Sequence, residues 1–583
     1  QKLRNEELAA QKQREDSLAR LNTPKDDSIK RIIDSTTKVV RESNLRGADT
    51  GTERITKITT SLFTIAFTNK GGQPKWIELN NFKNKDSGLV RLAASEFDRI
   101  SYKIKVGSEN VETGDLFFHP AVVTKNADNS NTISFALSFD SLVAPSVTHQ
   151  FIVKQDDYMV DFNIVMNTAD KLIDGGNINL SWKYAAAQQE SDISFEKTNT
   201  QVGYVENGEF DYHTIGNRSS KEFTDSLKWI GIRQRFFNSF LIAKNNFSSG
   251  NIEWTVPSND RPIVVEALTN LKYAVPASGR AEFSLFYGPS DFHMLKKYDL
   301  QLSKLVNLGQ GMYAFVRPLN RYVILPVWDF FKSFVGSFGV VIALLTLFIR
   351  LVISPLTYKS YLSGAKMKAL RPEIAALKAK HGGDQQAMSV EQMKLFREAG
   401  VNPLGGCIPA LFQIPIFFAL YSFFNSVVDL RGTDFLWAKD LSAFDDVIKF
   451  GVHIPLLGSH LSMFTITAVI TSFLISVYSM SMTPDQSNPV LKYMPYIFPV
   501  FLLFIFNTLP SALTWYYTVS NIITLILQFV IQNYIIDHDK ILVKIQENRK
   551  KPKTKSKWQE RMEQMQEQQK KLKEMKERGK TRR

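Results

Sequence analysis

One arginine stands inside a long apolar segment, where a charged side chain needs a physical justification. Arg350 follows about fourteen largely apolar residues, and the segment continues to Pro355. An arginine at the centre of a membrane-spanning helix costs about 2.5–3.5 kcal/mol on insertion scales, so it normally faces water or a polar partner. The alternative is that Arg350 lies near the end of its segment and snorkels to the membrane interface.

Polar side chains in the other apolar segments favour the first interpretation. Those of residues 511–536 recur along one helical face. They are Thr514, Tyr517, Asn521, Thr524 and Gln528. A second stripe consists of Thr465, Ser472, Ser476 and Ser479. Thr346 lies one turn before Arg350, and Gln413 interrupts another apolar segment. Such stripes also form plain helix-packing contacts. Together with an arginine that has no acidic residue in these segments, they predict a hydrophilic groove open to water.

Five apolar segments are each close to the ~20 residues that a membrane-spanning helix needs. They are residues 336–356, 404–428, 461–481, 490–508 and 511–536. The net charge of +14 is concentrated in residues 357–403, with +4, and 541–583, with +10. The positive-inside rule therefore predicts that both basic segments are cytoplasmic and that residues 53–300 and 429–460 lie on the outer side.

Residues 53–300 are predicted to form a β-sandwich. Ile133, Phe135, Leu137 and Phe139 alternate with polar or small residues, as do Tyr158, Val160, Phe162, Ile164 and Met166. Alternation with period two is typical of half-buried antiparallel strands. Turn signals such as Asn207-Gly208 separate the strands.

The remaining segments connect these two parts or extend from them. Residues 1–52 are charged and predicted to be a linker. Residues 311–335 mix aromatic and charged side chains, which indicates an interfacial amphipathic helix with Tyr322 and Trp328 at headgroup depth, or else a surface helix on the sandwich. Residues 357–403 predict a helical hairpin, with Tyr358–Lys380 as its first helix and a capping box of Ser389 and Gln392 starting the second.

The tail, residues 541–583, is predicted to be a solvated, partly helical extension. Its charge would also suit anionic lipid or ribosomal RNA.

Metal and covalent chemistry are not indicated. Cys407 is the only cysteine, and the eight histidines show no pairing typical of a metal site. We therefore predict no catalytic residue, no metal and no cofactor. Two alternatives remain. A secondary transporter would show internal repeats or paired broken helices, which are not evident. A carbohydrate-processing sandwich would need an acid/base pair, but His119, His149 and His213 have no recognisable carboxylate partner.

Several motifs resemble one family of bacterial proteins. They are Thr346–Thr357, then Met367, Leu370 and Pro372, then Asn402–Cys407, Gln413–Phe417 and Tyr516–Asn521. These residues are similar, in type and order, to the signature of the YidC membrane insertases over about residues 310–540. The outer domain resembles the family's periplasmic β-sandwich more loosely, in size and position.

The resemblance implies an α+β membrane protein, in which a periplasmic β-sandwich precedes a five-helix transmembrane insertase core, residues 336–540, with a cytoplasmic helical hairpin. It implies a multi-pass protein of the bacterial inner membrane that inserts nascent membrane proteins, alone or with the Sec translocon. The groove residues would be Arg350, Thr346, Gln413, Tyr517 and Asn521. The apolar flank that receives the substrate helix would be Phe417, Phe501 and Phe504. The expected partners are nascent chains, the translocon, lipids and, through the tail, the ribosome, with no small-molecule substrate.

Gram-negative members of this family carry a further span at the N-terminus. We therefore expect the gene to encode an uncleaved apolar span upstream of Gln1.

Overall fold

The computed structural model describes residues 45, 47–139, 145–382, 385–402, 408–480 and 489–550. Most of the predicted linker, the tail beyond Lys550 and the motif at 403–407 lie outside the described residues. The chain forms two compact units. The first comprises the residues up to Asn307 together with Asn425–Asp429, and the second comprises Leu308–Phe424 and the residues from Leu430 onward.

The first unit is built from three antiparallel sheets. The four-stranded sheet has the order β1 (Ile55–Thr59), β2 (Phe63–Thr68), β3 (Gln73–Lys83), β4 (Leu89–Leu92). The nine-stranded sheet has the order β13 (Glu209–Thr214), β12 (Gln201–Glu206), β15 (Leu227–Arg233), β16 (Phe237–Phe247), β19 (Arg280–Pro289), β10 (Met159–Met166), β9 (Val147–Val153), β8 (Asn131–Leu137), β7 (Val122–Lys125). The six-stranded sheet has the order β14 (Ser220–Phe223), β17 (Ser249–Thr255), β18 (Ile263–Ala274), β11 (Asn177–Ala187), β5 (Arg99–Val106), β6 (Glu109–Glu112). Short helices α1 (Ala169–Leu172), α2 (Ile193–Thr198) and α3 (Phe292–Lys297) connect strands or follow them.

The nine-stranded and six-stranded sheets face each other through aromatic and polar contacts. The ring centroids of Tyr273 on β18 and Phe283 on β19 are 4.7 Å apart. Ser239 on β16 donates a hydrogen bond of 2.8 Å to the Tyr184 hydroxyl on β11. These contacts give a β-sandwich, and the predicted alternation corresponds to its inner face, since Ile133, Phe135 and Leu137 of β8 are buried.

The second unit is helical. Its helices are α4 (Arg317–Leu319), α5 (Leu325–Lys332), α6 (Phe338–Ala369), α7 (Arg371–His381), α8 (Gln385–Glu398), α9 (Ile408–Ser426), α10 (Met463–Met480), α11 (Pro489–Phe506), α12 (Ser511–Val530) and α13 (His538–Lys550). Strands β20 (Ile448–Ile454) and β21 (Gly458–Leu461) form a hairpin between α9 and α10. Among the described residues, Phe338–Ala369, Met463–Met480 and Ser511–Ile535 are long and apolar enough to cross a membrane, whereas Leu411–Ser426 and Tyr493–Phe506 are shorter apolar helices.

The first apolar helix differs from the sequence-based boundary. We expected it to end near residue 356, but α6 continues through Pro355 to Ala369. The proline removes one backbone donor, and such a loss can be accommodated within a helical bundle. The first predicted hairpin helix is therefore divided, because its N-terminal part belongs to α6 and the remainder is α7.

The aromatic segment before α6 is a series of short helical turns. Gly311–Val316 is a 3₁₀ turn, and Asn320–Ile324 is a π turn between α4 and α5. Tyr322 is exposed, but Trp328 is fully buried. The Trp328 ring stacks on Phe338 at 5.7 Å between centroids. Trp328 thus joins this segment to α6, which differs from the headgroup position expected from the sequence.

A hydrophobic cluster, here called the hairpin cluster, joins α7 and α8 to the C-terminal part of α6, to the residues that follow α12, and to α13. Its buried members are Ala365, Met367, Leu370, Ile374, Leu395, Phe396, Ala399, Val401, Ile531, Ile536, Ile541 and Ile545. Arg549 adds an ion pair of 2.6 Å to Glu373. The first residues of the predicted tail therefore form a helix that packs on the hairpin.

His149 is a buried, neutral histidine of the sandwich. Its Nδ1 donates to the Gly72 carbonyl at 2.8 Å, and its Nε2 accepts from the Tyr102 hydroxyl at 2.8 Å. Burial lowers the pKa of His149 from 6.5 to about 4. The unfolded chain therefore binds one more proton than the folded chain between these values, so this group's stabilisation is complete above pH 6.5 and is lost as the pH falls towards 4.

Replacing His149 by Phe should remove this acid sensitivity. The free energy of unfolding of the parent should fall relative to that of His149→Phe by about 3 kcal/mol between pH 6.5 and 4. Burial raises the pKa of Asp98 to about 7, so this carboxyl makes both proteins less stable as the pH rises from about 4 to 7. Only the difference between the free energies of unfolding of the two proteins therefore reports on His149. Hydrogen exchange of peptides from β8–β10, corrected for intrinsic rates, measures it. A difference that does not vary with pH would contradict the assignment.

Candidate functional site

Arg350 lies level with the middle of α12. Its Nε donates a hydrogen bond of 2.8 Å to Ser520 Oγ, and a second guanidinium nitrogen contacts the same oxygen. Ser520 is the tenth of the 20 residues of α12. Arg350 is about 18 Å along α6 from Phe338 at 1.5 Å per residue. A position this far from the start of α6 favours an arginine that faces a polar groove over one that snorkels from the end of its helix.

The guanidinium of Arg350 is only partly satisfied by protein. It carries five N–H donors, and among the described residues its hydrogen-bond partner is the one hydroxyl of Ser520, with no carboxylate within ion-pair distance. The side chain is half-buried rather than buried. A charge in this condition is stable only where water reaches the donors that remain.

Gln413 and Tyr517 form a second polar pair near Arg350. The Gln413 side chain of α9 lies beside the Tyr517 hydroxyl of α12, in the neighbourhood of Arg350. The Gln413 amide nitrogen is buried and has no hydrogen-bond partner among the described residues. A buried donor without a partner costs about 1–3 kcal/mol unless water reaches it.

Aromatic rings close around Tyr517 from two neighbouring helices. Its ring centroid lies 5.9 Å from that of Phe417 on α9 and 4.7 Å from that of Phe506 on α11. Phe501 of α11 is exposed and Phe504 is half-buried. The structure thus brings Arg350, Gln413, Tyr517 and Phe417 together, and it places Phe501 on the outer surface of α11.

The other two predicted groove residues lie inside helix contacts. Thr346 is fully buried and donates to the Ile342 carbonyl of its own helix at 2.6 Å. The Asn521 amide donates to Ser472 Oγ at 2.8 Å and to Thr471 Oγ1 at 3.1 Å on α10. Gln528 and Ser479 repeat this pairing at 3.4 Å. The two polar stripes therefore bond to each other, which is the packing role that the sequence left open.

A network around Asn507, here called the Asn507 network, fixes the opposite end of the bundle from the hairpin cluster. Asn507, in the turn between α11 and α12, donates to the carbonyls of Leu457 at 2.7 Å and His460 at 2.8 Å, and its Oδ1 accepts from the Ser462 backbone at 2.8 Å. Ser462 caps α10, and Asp445 accepts from the Met463 backbone at 2.6 Å. Both carboxylate and hydroxyl acceptors suit a helix N-terminus.

Sequence reasoning missed Ser520 and the Asn507 network. Ser520 is one turn after Tyr517, so its place on the polar face of α12 was readable. Asn507 carries no local signal in the sequence, because the partners that make it important are about 50 residues away.

Two family models match the chain. The model described as "60Kd inner membrane protein" matches residues 330–538, and that described as "YidC periplasmic domain" matches residues 55–322. Together they span most of both units. The chain belongs to the YidC family of membrane protein insertases.

Relatives in this family match along nearly the whole chain. The membrane protein insertase YidC of Parabacteroides distasonis is 31% identical over 600 residues, which cover 96% of this chain and 93% of the relative. That of Phocaeicola vulgatus is 31% identical, covering 90% and 84%. A crystal structure of an active YidC insertase is 19% identical, covers 87% of this chain and 99% of that chain, and has a TM-score of 0.36. Nothing in these matches supports the secondary-transporter alternative.

Asn507→Ala should weaken the end of the bundle that the Asn507 network holds. The substitution removes three hydrogen bonds to buried or partly buried backbone groups, so the free energy of unfolding should fall by on the order of 3 kcal/mol. Thermal unfolding of the full chain in detergent measures the loss. Thr508→Ala is the matched control, because Thr508 is the exposed next residue. If both variants unfold at the same temperature as the parent, the network does not contribute to stability as described.

Proposed function

We propose that this protein inserts segments of nascent membrane proteins into the inner membrane through a hydrophilic groove at Arg350. The observation that carries the proposal is a half-buried guanidinium, level with the middle of α12, whose hydrogen-bond partner among the described residues is one hydroxyl. Membership in the insertase family supports the substrate class. The reaction involves no covalent step, so the protein acts without enzyme chemistry.

The proposed topology has five spans, formed by α6, α9, α10, α11 and α12. The exposed apolar side chains of these helices, such as Leu347, Ile470, Phe498 and Ile526, would face lipid, where they cost nothing. The helical hairpin and the basic tail are cytoplasmic in this topology, because positively charged segments are retained there. The sandwich is then periplasmic.

The groove lowers the free-energy barrier to insertion, because a polar substrate segment crosses a shorter thickness of hydrocarbon. A substrate backbone that enters lipid loses its water, at several kcal/mol for each unsatisfied group. Arg350, Gln413 and Tyr517 offer donors at mid-membrane depth, and water held there solvates the segment until its helix forms. Thr346 and Asn521 hold the helices that carry these groove residues together through packing contacts. The positive potential of Arg350 would also attract acidic substrate segments.

Apolar side chains beside the groove would receive the emerging helix. Phe417 lies next to Tyr517, whereas Phe501 is exposed and Phe504 half-buried on α11. A substrate helix that leaves the groove along α11 exchanges water for apolar contact, which is favourable by about 25 cal/mol per Å² buried. This gradient gives the movement its direction. For larger substrates, we propose that the protein works together with the Sec translocon.

Charge at position 350 should decide the insertion of acidic substrates. Arg350→Lys should retain most activity, because a lysine keeps the positive potential. Arg350→Ala should lose much activity, and Arg350→Glu should lose most for a substrate with an acidic exported tail. Protease accessibility of a small reporter with such a tail, in cells that carry only the variant, measures insertion.

The control for this series is the same reporter with a neutral tail, which Arg350→Glu should insert better than the acidic one. Each variant must be present at the parental level in the membrane. Equal insertion of the acidic reporter by Arg350→Glu and the parent would show that the electrostatic mechanism is wrong.

The basic tail, residues 541–583, should bind ribosomes electrostatically. A deletion that tests this should begin after Lys550. Residues 541–550 belong to α13, whose Ile541 and Ile545 are buried in the hairpin cluster, so a longer deletion would also disturb the hairpin. Removal of residues 551–583 should reduce co-sedimentation with ribosomes, and the parent's binding should weaken steeply with salt through counterion release. Equal binding by both forms at low salt would exclude the tail as a ribosome contact.

A further inference from the structure

The hairpin of β20 and β21 exposes apolar side chains that the rest of its unit does not cover. Val447, Ile448, Val452 and Leu456 are exposed, with Leu456 at 81% and Val452 at 64%. Val452 and Ile454 share one face of β20, because side chains alternate along a strand. Leu456, at the turn, has a φ of +70°, a backbone conformation in which glycine or asparagine is expected. The Leu456 side chain is therefore exposed, although its backbone conformation is unfavourable for leucine.

A two-stranded sheet of this kind needs a covering surface. An isolated hairpin is at best marginally stable in water, and it gains stability only when its apolar face is packed. The register of this hairpin is short and irregular. Ile448 and Lys449 pair with Leu461 and His460, and the register shifts before Ile454 meets Gly458. Backbone pairing therefore stabilises it little, and burial of the exposed face has to contribute.

The attachment of the hairpin points to lipid as the covering surface. Leu461 ends β21 and Met463 begins α10, a helix apolar enough to cross a membrane, so only Ser462 separates them. The Leu457 and His460 carbonyls are held by Asn507 in the turn between α11 and α12. The hairpin is thus fixed by hydrogen bonds at the end of three apolar helices, which is the level of the membrane surface.

Charge on the hairpin favours an apolar contact over an electrostatic one. Lys449 pairs with Asp446 at 2.6 Å, which leaves little net charge for attraction to anionic lipid. We propose that the face of β20 formed by Val452 and Ile454, together with Leu456 of the turn, inserts into the headgroup–acyl boundary of the adjoining leaflet and anchors the α9–α10 connection there. The proposal requires that α10 spans the membrane, but it does not depend on the groove mechanism.

Fluorescence quenching in lipid tests this directly. The full chain with Cys407→Ser and Leu456→Cys, carrying an environment-sensitive fluorophore, is reconstituted into phosphatidylcholine vesicles that contain nitroxide-labelled acyl chains. Ile470→Cys, on the exposed face of α10, is the positive control, and His453→Cys, on the other face of β20, is the negative control. The label at 456 should be quenched as strongly as that at 470, and the label at 453 should be quenched much less. Neither salt nor added anionic lipid should change this order.

A second arm keeps the result independent of the label. Leu456→Asn relieves the backbone strain while removing the apolar side chain, so a label at Val452→Cys should then be quenched less than in the parent background. Ser459→Asn, at an exposed polar position of the same hairpin, should leave the quenching unchanged. If the label at 456 is quenched no more than the one at 453 while that at 470 is quenched, the hairpin does not contact lipid. Shielding of the label at 456 from both lipid and aqueous quenchers would mean that a protein surface covers it, and would equally overturn the proposal.

Discussion

The proposed mechanism depends on how one guanidinium, that of Arg350, is satisfied in the middle of the helical unit. The guanidinium of Arg350 carries five N–H donors, and a single hydroxyl meets few of them. Hydrocarbon would offer no substitute, so the proposed groove supplies water to the remaining donors. The half-buried state of Arg350 and the buried amide of Gln413 both follow from this requirement. In this account the groove exists because the charge requires it.

A groove of the proposed kind would weaken packing in the middle of the bundle, so the helices would have to be held together elsewhere. The Asn507 network holds one end of α10, α11 and α12 by buried hydrogen bonds, and the hairpin cluster holds the other end of α6 and α12 by apolar burial. These two sites lie about 30 Å apart along α12, close to the thickness of a bilayer's hydrocarbon region. Between them, the pairing of Asn521 with Ser472 and Thr471 keeps α12 against α10. In the proposed mechanism, these contacts keep the bundle together while substrate enters the groove.

Much of this organisation was readable from the sequence, because it rests on local patterns. Alternation in β8 and β10 predicted strands with buried inner faces, and the apolar segments 490–508 and 511–536 predicted the two helices α11 and α12. The patterns do not identify contacts between residues that are distant in sequence. Thr346 and Asn521 have the composition of groove-lining residues, but burial and facing helices decide their contacts. Trp328 likewise has the composition of an interfacial anchor, yet it packs on Phe338. The extension of α6 beyond Pro355 also depends on its neighbours rather than on its own residues.

Water access at Gln413 tests the central claim most directly. With Cys407→Ser as background, Gln413→Cys is exposed to a membrane-impermeant maleimide in inverted inner-membrane vesicles, and Ile470→Cys on the outer face of α10 is the comparison. The account predicts that the cysteine at 413 is labelled from the cytoplasmic side although it lies beside Tyr517 inside the bundle, while the cysteine at 470 is not. If the cysteine at 413 is as unreactive as that at 470 in stably folded protein, the region around Arg350 is dry and the groove does not exist in the form described.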